Sequence, residues 1–212
     1  MLSVLMPSRG RPQECKRAYE SALKTAKGSI EILVYLDNDD ATLSAYETPH
    51  TVGPPLRCAQ ANRELLKVAK GDLFYFGSDD QVWETVGWDT RLAELMPDDG
   101  LSVLYPRDME KGQKGMNPVW SRKFADLFGH YPDYFVHFGP DTWLIDIARR
   151  AGTLIHAKDV FIRHKRLRDA THSNLRQSGD ANFAQKKLME TQDERQKIAE
   201  QIKLMRMPAA PQ

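Results

Sequence analysis

Three short apolar runs, each followed directly by a polar turn, most constrain this fold. Leu2-Ser3-Val4-Leu5-Met6 leads into Ser8-Arg9-Gly10-Arg11-Pro12, the run at 31–36 into Asp37-Asn38-Asp39-Asp40, and Leu73-Phe74-Tyr75-Phe76 into Ser78-Asp79-Asp80. Runs of this length read as strands. Helical stretches separate them. Pro12 opens a helix to about Lys27, with Cys15, Ala18, Tyr19, Ala22 and Leu23 on one stripe and Gly28 as its stop. Residues 56–70 carry Ala59, Asn62, Leu65, Leu66 and Ala69 on one side, and Gly71 ends them. A further helix is expected after Trp88 and a strand at 101–105. Strands separated by helices imply parallel pairing through right-handed crossovers, with both faces of the sheet covered. The expected class is α/β: a Rossmann-like, mostly parallel sheet flanked by helices. Ligands of such sheets bind at the carboxyl ends of strands, and acidic clusters stand at two of those ends.

The later half is less regular. Gly112-Gln113-Lys114-Gly115 reads as a loop, and 141–151 as a helix closed by Gly152. Val160-Phe161-Ile162 is a short strand before Arg163-His164-Lys165-Arg166. Residues 181–207 read as a single C-terminal helix, with Leu188, Ile198, Ile202 and Met205 placed to seal it onto its own domain or a second subunit. The division is therefore one domain over 1–180, a helical extension over 181–207 and a frayed end at 208–212. The oligomeric state is open at this stage.

Charge excludes one class of function. Lys and Arg number 30 and Asp and Glu 29, a net charge of +1, which is not a polybasic protein holding phosphates by charge alone. The balance is a cancellation. Residues 1–149 hold 17 basic and 22 acidic side chains, and residues 150–212 hold 13 and 7. No apolar run approaches the ~20 residues of a membrane helix, so no membrane insertion is expected. The first residues read as a strand and not as a signal peptide. The two cysteines, Cys15 and Cys58, make neither a disulfide framework nor a cysteine zinc site, and a reducing cytoplasm is the default. Glycine-rich dinucleotide and NTP loops are absent, as are H-E-x-x-H, C-x-x-C and G-x-S-x-G. Any phosphate chemistry must then use a metal held by carboxylates, or Arg and backbone donors.

Ser78-Asp79-Asp80 fits the first option. Adjacent carboxylates at a strand end repel, and a hard divalent cation removes that cost. Mg2+ or Mn2+ takes one or two carboxylates and completes its shell with phosphate oxygens and water. A solvated turn before Val82-Trp83 accounts for the same residues.

The wider pattern resembles nucleotide-sugar-dependent glycosyltransferases of the GT-A type, particularly the family 2 kind, over roughly residues 2–164. The opening segment through Pro7, Ser8, Arg9 and Arg11 looks like that family's first strand and donor-binding loop. Tyr35-Leu36-Asp37-Asn38-Asp39-Asp40 looks like its second strand and base-contacting acid. Ala61-Asn62-Arg63, followed by the strand into Ser78-Asp79-Asp80, looks like the approach to its D-x-D signature, and Gly87-Trp88-Asp89 stands where the family often has a Trp-Asp pair. The resemblance implies Asp80 as principal metal ligand, with Asp79 supporting it. The family's strict form has Asp at both outer positions of the triplet, whereas Ser78 stands first here. Asp37 and Asp39 would accept from a uracil ring or ribose hydroxyls, and Arg9 and Arg11 would pair with the diphosphate. Asn38 and Asp40 read better as an Asx-rich turn.

The family carries its catalytic base before a helix in a segment like Phe138-Gly139-Pro140-Asp141, which implies Asp141 as base. By itself Asp141 also reads as a helix N-cap. A late His after a strand often completes the family's metal site, which points to His164, with His172 a weaker candidate, and imidazole suits Mn2+ better than Mg2+. Arg163, Lys165, Arg166 and Arg168 surround His164 as a solvated basic face or as partners of a leaving diphosphate. Trp120, Trp143, Tyr131, Tyr134 and Phe135 are core or a sugar platform, and Trp120 is singled out as the acceptor contact.

The expected function is a metal-dependent, inverting transfer of a sugar from a nucleoside diphosphate, UDP-linked by expectation, to a hydroxyl acceptor. Two alternatives stand beside it: a nucleotidyltransferase on a related sheet, and a non-catalytic module docking nucleic acid or a partner helix through the basic C-terminal region. A modified nucleic acid as acceptor, as in a virus-encoded enzyme, would combine a metal site with that basic face.

Overall fold

The computed structural model describes residues 1–108, 117–129, 132–165 and 179–208. Tyr131, Arg166, Arg168, His172 and the segment 112–115 lie outside the described residues, as does most of the expected frayed end. Eight strands form one mixed sheet: β1 (Leu2–Ser8), β2 (Ile30–Asp37), β3 (Thr51–Gly53), β4 (Leu73–Phe76), β5 (Gln81–Trp83), β6 (Val103–Arg107), β7 (Val119–Ser121) and β8 (Leu154–His164). Their order is β3-β2-β1-β4-β7-β6-β8-β5. β1 pairs in parallel with both β2 and β4, β2 with β3, and β6 with β8. β7 runs antiparallel between β4 and β6, so β6 and β8 point the same way as β1 and β4. The carboxyl ends of β1, β2, β4, β6 and β8 therefore share one edge. The chain also changes direction of growth at β1, which has β2 on one side and β4 on the other, and such switch points open a crevice.

The period-2 pattern sends alternate residues to two cores. Leu5, Tyr35, Phe74 and Phe76 face one, covered by α2 (Cys58–Val68), α4 (Arg122–Asp126) and α5 (Pro140–Ala151). Val4, Met6, Val34, Leu36 and Tyr75 face the other, covered by α1 (Pro12–Thr25) and α3 (Trp88–Leu95). Both faces of the sheet are covered, as the alternation predicts. Asp89 is buried and accepts from the backbone N–H groups of Lys27 and Gly28 at 2.9 and 2.6 Å. The Trp-Asp pair thus ties the turn before β2 to α3.

The C-terminal segment differs from the single expected helix. It forms α6 (Asp180–Glu190) and α7 (Gln192–Arg206), broken at Thr191, whose hydroxyl donates back to the Lys187 carbonyl at 2.7 Å. Ile198 and Ile202 are buried in the first core, and Leu188 packs against it, while Met205 is exposed. Buried Arg195 donates to Asp146 of α5 at 2.8 Å, an acceptor shared with Arg150. These contacts seal the extension onto its own domain.

Three strands escaped the sequence pattern. β3, β5 and β7 have three residues each, too short to show a period. β5 matters most, because it begins directly after Asp80 and pairs with the end of β8, setting Gln81 opposite His164. The strand expected at 101–105 is shifted to Val103–Arg107. Among the described residues no helix is long and apolar enough to cross a membrane.

Candidate active site

The crevice at the ends of β1 and β4 is drawn tight by a glycine. Gly77 N–H donates to the Leu5 carbonyl at 2.8 Å, and a Cβ at Gly77 would come within 2.7 Å of the Val4 side chain. The close approach sets Ser8 beside Asp79: Ser8 Oγ donates to Asp79 Oδ2 at 2.7 Å, and Arg11 Nη1 donates to Oδ1 at 3.2 Å. Asp80 faces the other way. Its Oδ1 lies 2.9 Å from His164 Nε2 and also accepts from Ser78 Oγ. The backbone fixes that meeting, since Lys165 N–H donates to the Asp80 carbonyl at 2.8 Å.

The two adjacent acids are driven apart electrically. Burial pushes the Asp79 carboxyl up to about 6, although Arg11 and Ser8 oppose the shift. Burial acts on Asp80 too, but the hydrogen bond and charge of His164, with the Ser78 hydroxyl, outweigh it and hold Asp80 down at about 2. Proximity of like charges and unequal partners commonly divide such pairs. The result is one firmly ionised carboxylate next to an imidazole.

That pair fits a hard divalent ion. In an octahedral shell of about 2.1 Å radius, neighbouring ligands stand about 3 Å apart, close to the Asp80–His164 separation. Among the described residues no group of three or more His, Cys, Asp or Glu side chains is arranged to hold a metal. An ion here would need donor phosphate oxygens and water to complete its shell, the usual habit of Mg2+.

The turn after β2 is arranged differently. Asp37 is buried; its Oδ2 accepts from Arg9 at 2.6 Å and its Oδ1 from the Leu56 N–H at 3.0 Å. Arg9 also pairs with exposed Asp39. Arg9 thus bridges two carboxylates, whereas Arg11 reaches the Asp79 centre. Asp40 accepts from Gly10 N–H at 2.7 Å and from Thr42 N–H and Oγ1 at 2.8 Å, the Asx turn expected there. Pro7 pairs in register with Tyr35 within the sheet.

Asp141 approaches from α5. Gly139 is the N-cap, with φ of 110°, and a Cβ there would come within 2.4 Å of the Phe135 ring. Asp141 is therefore the second helical residue and not the cap. Surrounding protein pushes its carboxyl up to about 6, against hydrogen bonds from the backbone of Thr142, Asp141 and Gly139 and from the Thr142 side chain. A helix N-terminus favours the carboxylate, so burial is the stronger influence. The first turn of α2 docks on the segment before Gly139, with Ala59 N–H donating to the Val136 carbonyl at 3.1 Å. Cys58, at the start of α2, is pushed up to about 12 by burial and then by the charges of Asp79, Asp141 and Asp80. One thiol therefore feels the charges of all three acids.

Other expected residues divide. Asn62 is buried with Nδ2 3.5 Å from Cys58 Sγ, and among the described residues its amide oxygen has no hydrogen-bond partner. Arg63 donates to the Asp133 carbonyl at 3.1 Å. Trp120 is 0% exposed, with Phe74 and Phe76 rings 5.7 and 4.6 Å away. It packs within the first core. Two further groups adjoin the expected site residues: Tyr46, whose hydroxyl lies 3.1 Å from Ser8 Oγ and accepts from Arg11 N–H, and Arg17, which feels the charges of Asp80 and Asp79. Both stand outside any motif.

Comparison with known proteins bears on the fold. No family model matches the chain, and no curated protein matches it. Among solved structures, the mannosyltransferase PcManGT from Pyrobaculum calidifontis, in complex with GDP-Man and Mn2+, is similar with a TM-score of 0.70 and 11% identity. The match covers 89% of this chain and 64% of that one. S. aureus TarS 1-349, alone and in complex with UDP, is similar with a TM-score of 0.57 and 12% identity, over 76% of this chain and 59% of that one. The chain thus spans less than two thirds of the length of each. The likeness establishes the architecture: the chain has the GT-A-type fold of these glycosyltransferases.

Proposed function

We propose that the chain is a metal-dependent glycosyltransferase that moves a sugar from a nucleoside diphosphate donor, UDP-linked in our reading, to a hydroxyl acceptor with inversion at the anomeric carbon. The observation that carries this reading is the meeting of Asp80 with His164 at 2.9 Å on the strand-end edge where Ser8 and Arg11 contact Asp79. Three separate stretches of chain supply those groups, and a solvated turn would need none of them.

Asp80 and His164 would hold Mn2+ or Mg2+. When bound, the ion supplies charge neutralisation for the departing diphosphate. Arg11, which donates to Asp79 at 3.2 Å, offers a guanidinium fork to the same phosphates. Arg9, Asp37 and Asp39 lie at the nucleoside end, and the orphaned Asn62 oxygen offers an acceptor to a donor hydroxyl. Asp141 takes the proton of the acceptor hydroxyl as that oxygen attacks the anomeric carbon and the bond to the diphosphate breaks. One direct displacement of this kind inverts configuration. A carboxyl pushed up to about 6 suits a base working near neutral pH.

The test is a thermal-stability panel of UDP- and GDP-sugars with and without Mn2+. A donor at ~100 times its dissociation constant should stabilise the fold by ~2.7 kcal/mol, and only with the metal. The GDP arm matters, since the mannosyltransferase neighbour was solved with GDP-Man. No response to any donor would overturn the reading and favour a module docking nucleic acid, whose affinity should fall steeply with salt.

A further inference from the structure

The carboxyl end of β6 delivers an acid that has no part in the reading above. Asp108 follows Arg107 directly and is 5% exposed. Its Oδ1 accepts from the backbone N–H of His164 at 2.8 Å, and its Oδ2 lies 4.0 Å from His164 Nδ1. The other ring nitrogen, Nε2, lies 2.9 Å from Asp80. The imidazole therefore stands between two buried carboxylates, one from the end of β4 and one from the end of β6.

Topology makes this juxtaposition. β6 and β8 run in parallel, but their register slips: Pro106 is opposite Ala157 and Arg107 opposite Phe161. The slip carries the end of β8 across to β5, where Gln81 pairs with His164. The slip takes up three residues of β8 and so draws His164 back to the level of Asp108, which accepts from its backbone N–H.

We infer that Asp108 is a positioning residue for His164, the carboxylate behind the metal-binding imidazole. The inference rests on the metal site proposed above. A carboxylate facing Nδ1–H selects the tautomer whose Nε2 keeps its lone pair, aims the ring and raises its basicity. The present 4.0 Å separation is an ion-pair distance that closes to a hydrogen bond with about 1 Å of movement. Such bonds commonly shorten when a site is assembled around its ligands. Asp108 acts through the ring and does not itself reach the ion.

The test is an Mn2+ titration of the full chain with UDP present, bound ion being read by EPR and the coordinated imidazole nitrogen by pulsed EPR. Asp108→Asn keeps an acceptor for the His164 N–H, so its metal-free melting temperature should match the parent. Its Mn2+ dissociation constant should rise about 10- to 100-fold, as for other outer carboxylates. His164→Ala should show a comparable rise and lose the nitrogen signal, and the double variant should be no weaker than His164→Ala alone. Asp108→Ser, which also keeps an acceptor, is read in the same way if the amide variant does not fold. Unchanged Mn2+ affinity in a folded Asp108 variant overturns the inference, as does a double variant weaker than His164→Ala, which would make Asp108 a ligand in its own right. An Asp80→Asn control separates the two levels. If Mn2+ binding survives it, or the parent binds none, the metal site itself fails and this inference with it.

Discussion

Two acidic turns end parallel strands of the same sheet, one after β2 and one after β4, and in sequence they look alike. The structure treats them in opposite ways. After β2, Asp37 and Asp40 are occupied by Arg9 and by the backbone N–H groups of Leu56, Gly10 and Thr42. That turn is neutralised from within, by donors the fold must satisfy anyway. After β4, Asp79 and Asp80 share Ser8, Arg11, Ser78 and His164 as partners, all of them side chains. Side chains can turn to a ligand, whereas backbone N–H groups in turns cannot. Density of carboxylates is therefore a poor guide to a site, and the nature of their partners is a better one.

The sharpest way to break this contrast is Asp80→Asn. If the second turn holds a metal, the variant should lose transfer by about 10³-fold or more, the several kcal/mol that charge stabilisation of a leaving phosphate supplies. The fold should survive, because the Asp80 backbone carbonyl keeps its bond from Lys165. Activity with circular dichroism on the same sample decides it, and unchanged transfer would reduce the second turn to the status of the first.

Asp141 comes next. Asp141→Asn should lower the rate by about 10²–10⁴-fold, the span of general base catalysis. Its pH dependence has a definite sign. The folded carboxyl lies near 6, above the ordinary value of 3.8, so the folded state holds the proton more tightly than the unfolded one. Its contribution to stability is greatest below pH 4, falls as pH rises to about 6 and is flat above that. Activity runs the other way, rising through about pH 6 as the base ionises. Removing the partly buried charge should then stabilise the protein at pH 7 by about 1–2 kcal/mol after discount for solvent screening. Melting temperatures of Asp141→Asn and the parent at pH 4.5 and 7.5 read this directly, and a gap that does not widen with pH would remove burial as the cause.

Much of the fold was legible because it is written in long periods. The stripes of α1 and α2, the apolar runs of β1, β2 and β4, and Pro12 at the start of α1 each carry several residues of agreeing signal. The candidate site was legible only where strand ends and sequence clusters coincide, as at Ser78-Asp79-Asp80. The Asp80–His164 meeting depends on β5, whose three residues carry no period, and on a register slip in β8. Asp108 had no neighbouring motif, and only the parallel pairing of β6 with β8 gives it meaning. The burial of Trp120 was not legible for the converse reason: an aromatic residue in sequence carries no mark of which face of a sheet will bury it. The break at Thr191 was hidden because the residues around it are ordinary helix formers.

The smallest expected effects separate the two carboxylates that grip Arg9. Asp37 is buried and supplies the acceptor for the Leu56 N–H, so Asp37→Ala strands a backbone donor where water has little access. The cost should be about 1–3 kcal/mol, a fall in melting temperature of about 2–4 °C for each kcal/mol in a domain of this size. Asp39 holds the same guanidinium from solvent, where screening and side-chain entropy cancel most of the attraction. Asp39→Ala should leave the melting temperature where it is and show itself only as weaker UDP binding. A pair of variants with the reverse pattern, Asp37→Ala stable but unable to bind nucleotide, would mean that the turn after β2 is open to ligand in the way the turn after β4 is, and that donors from the backbone do not mark a turn as closed.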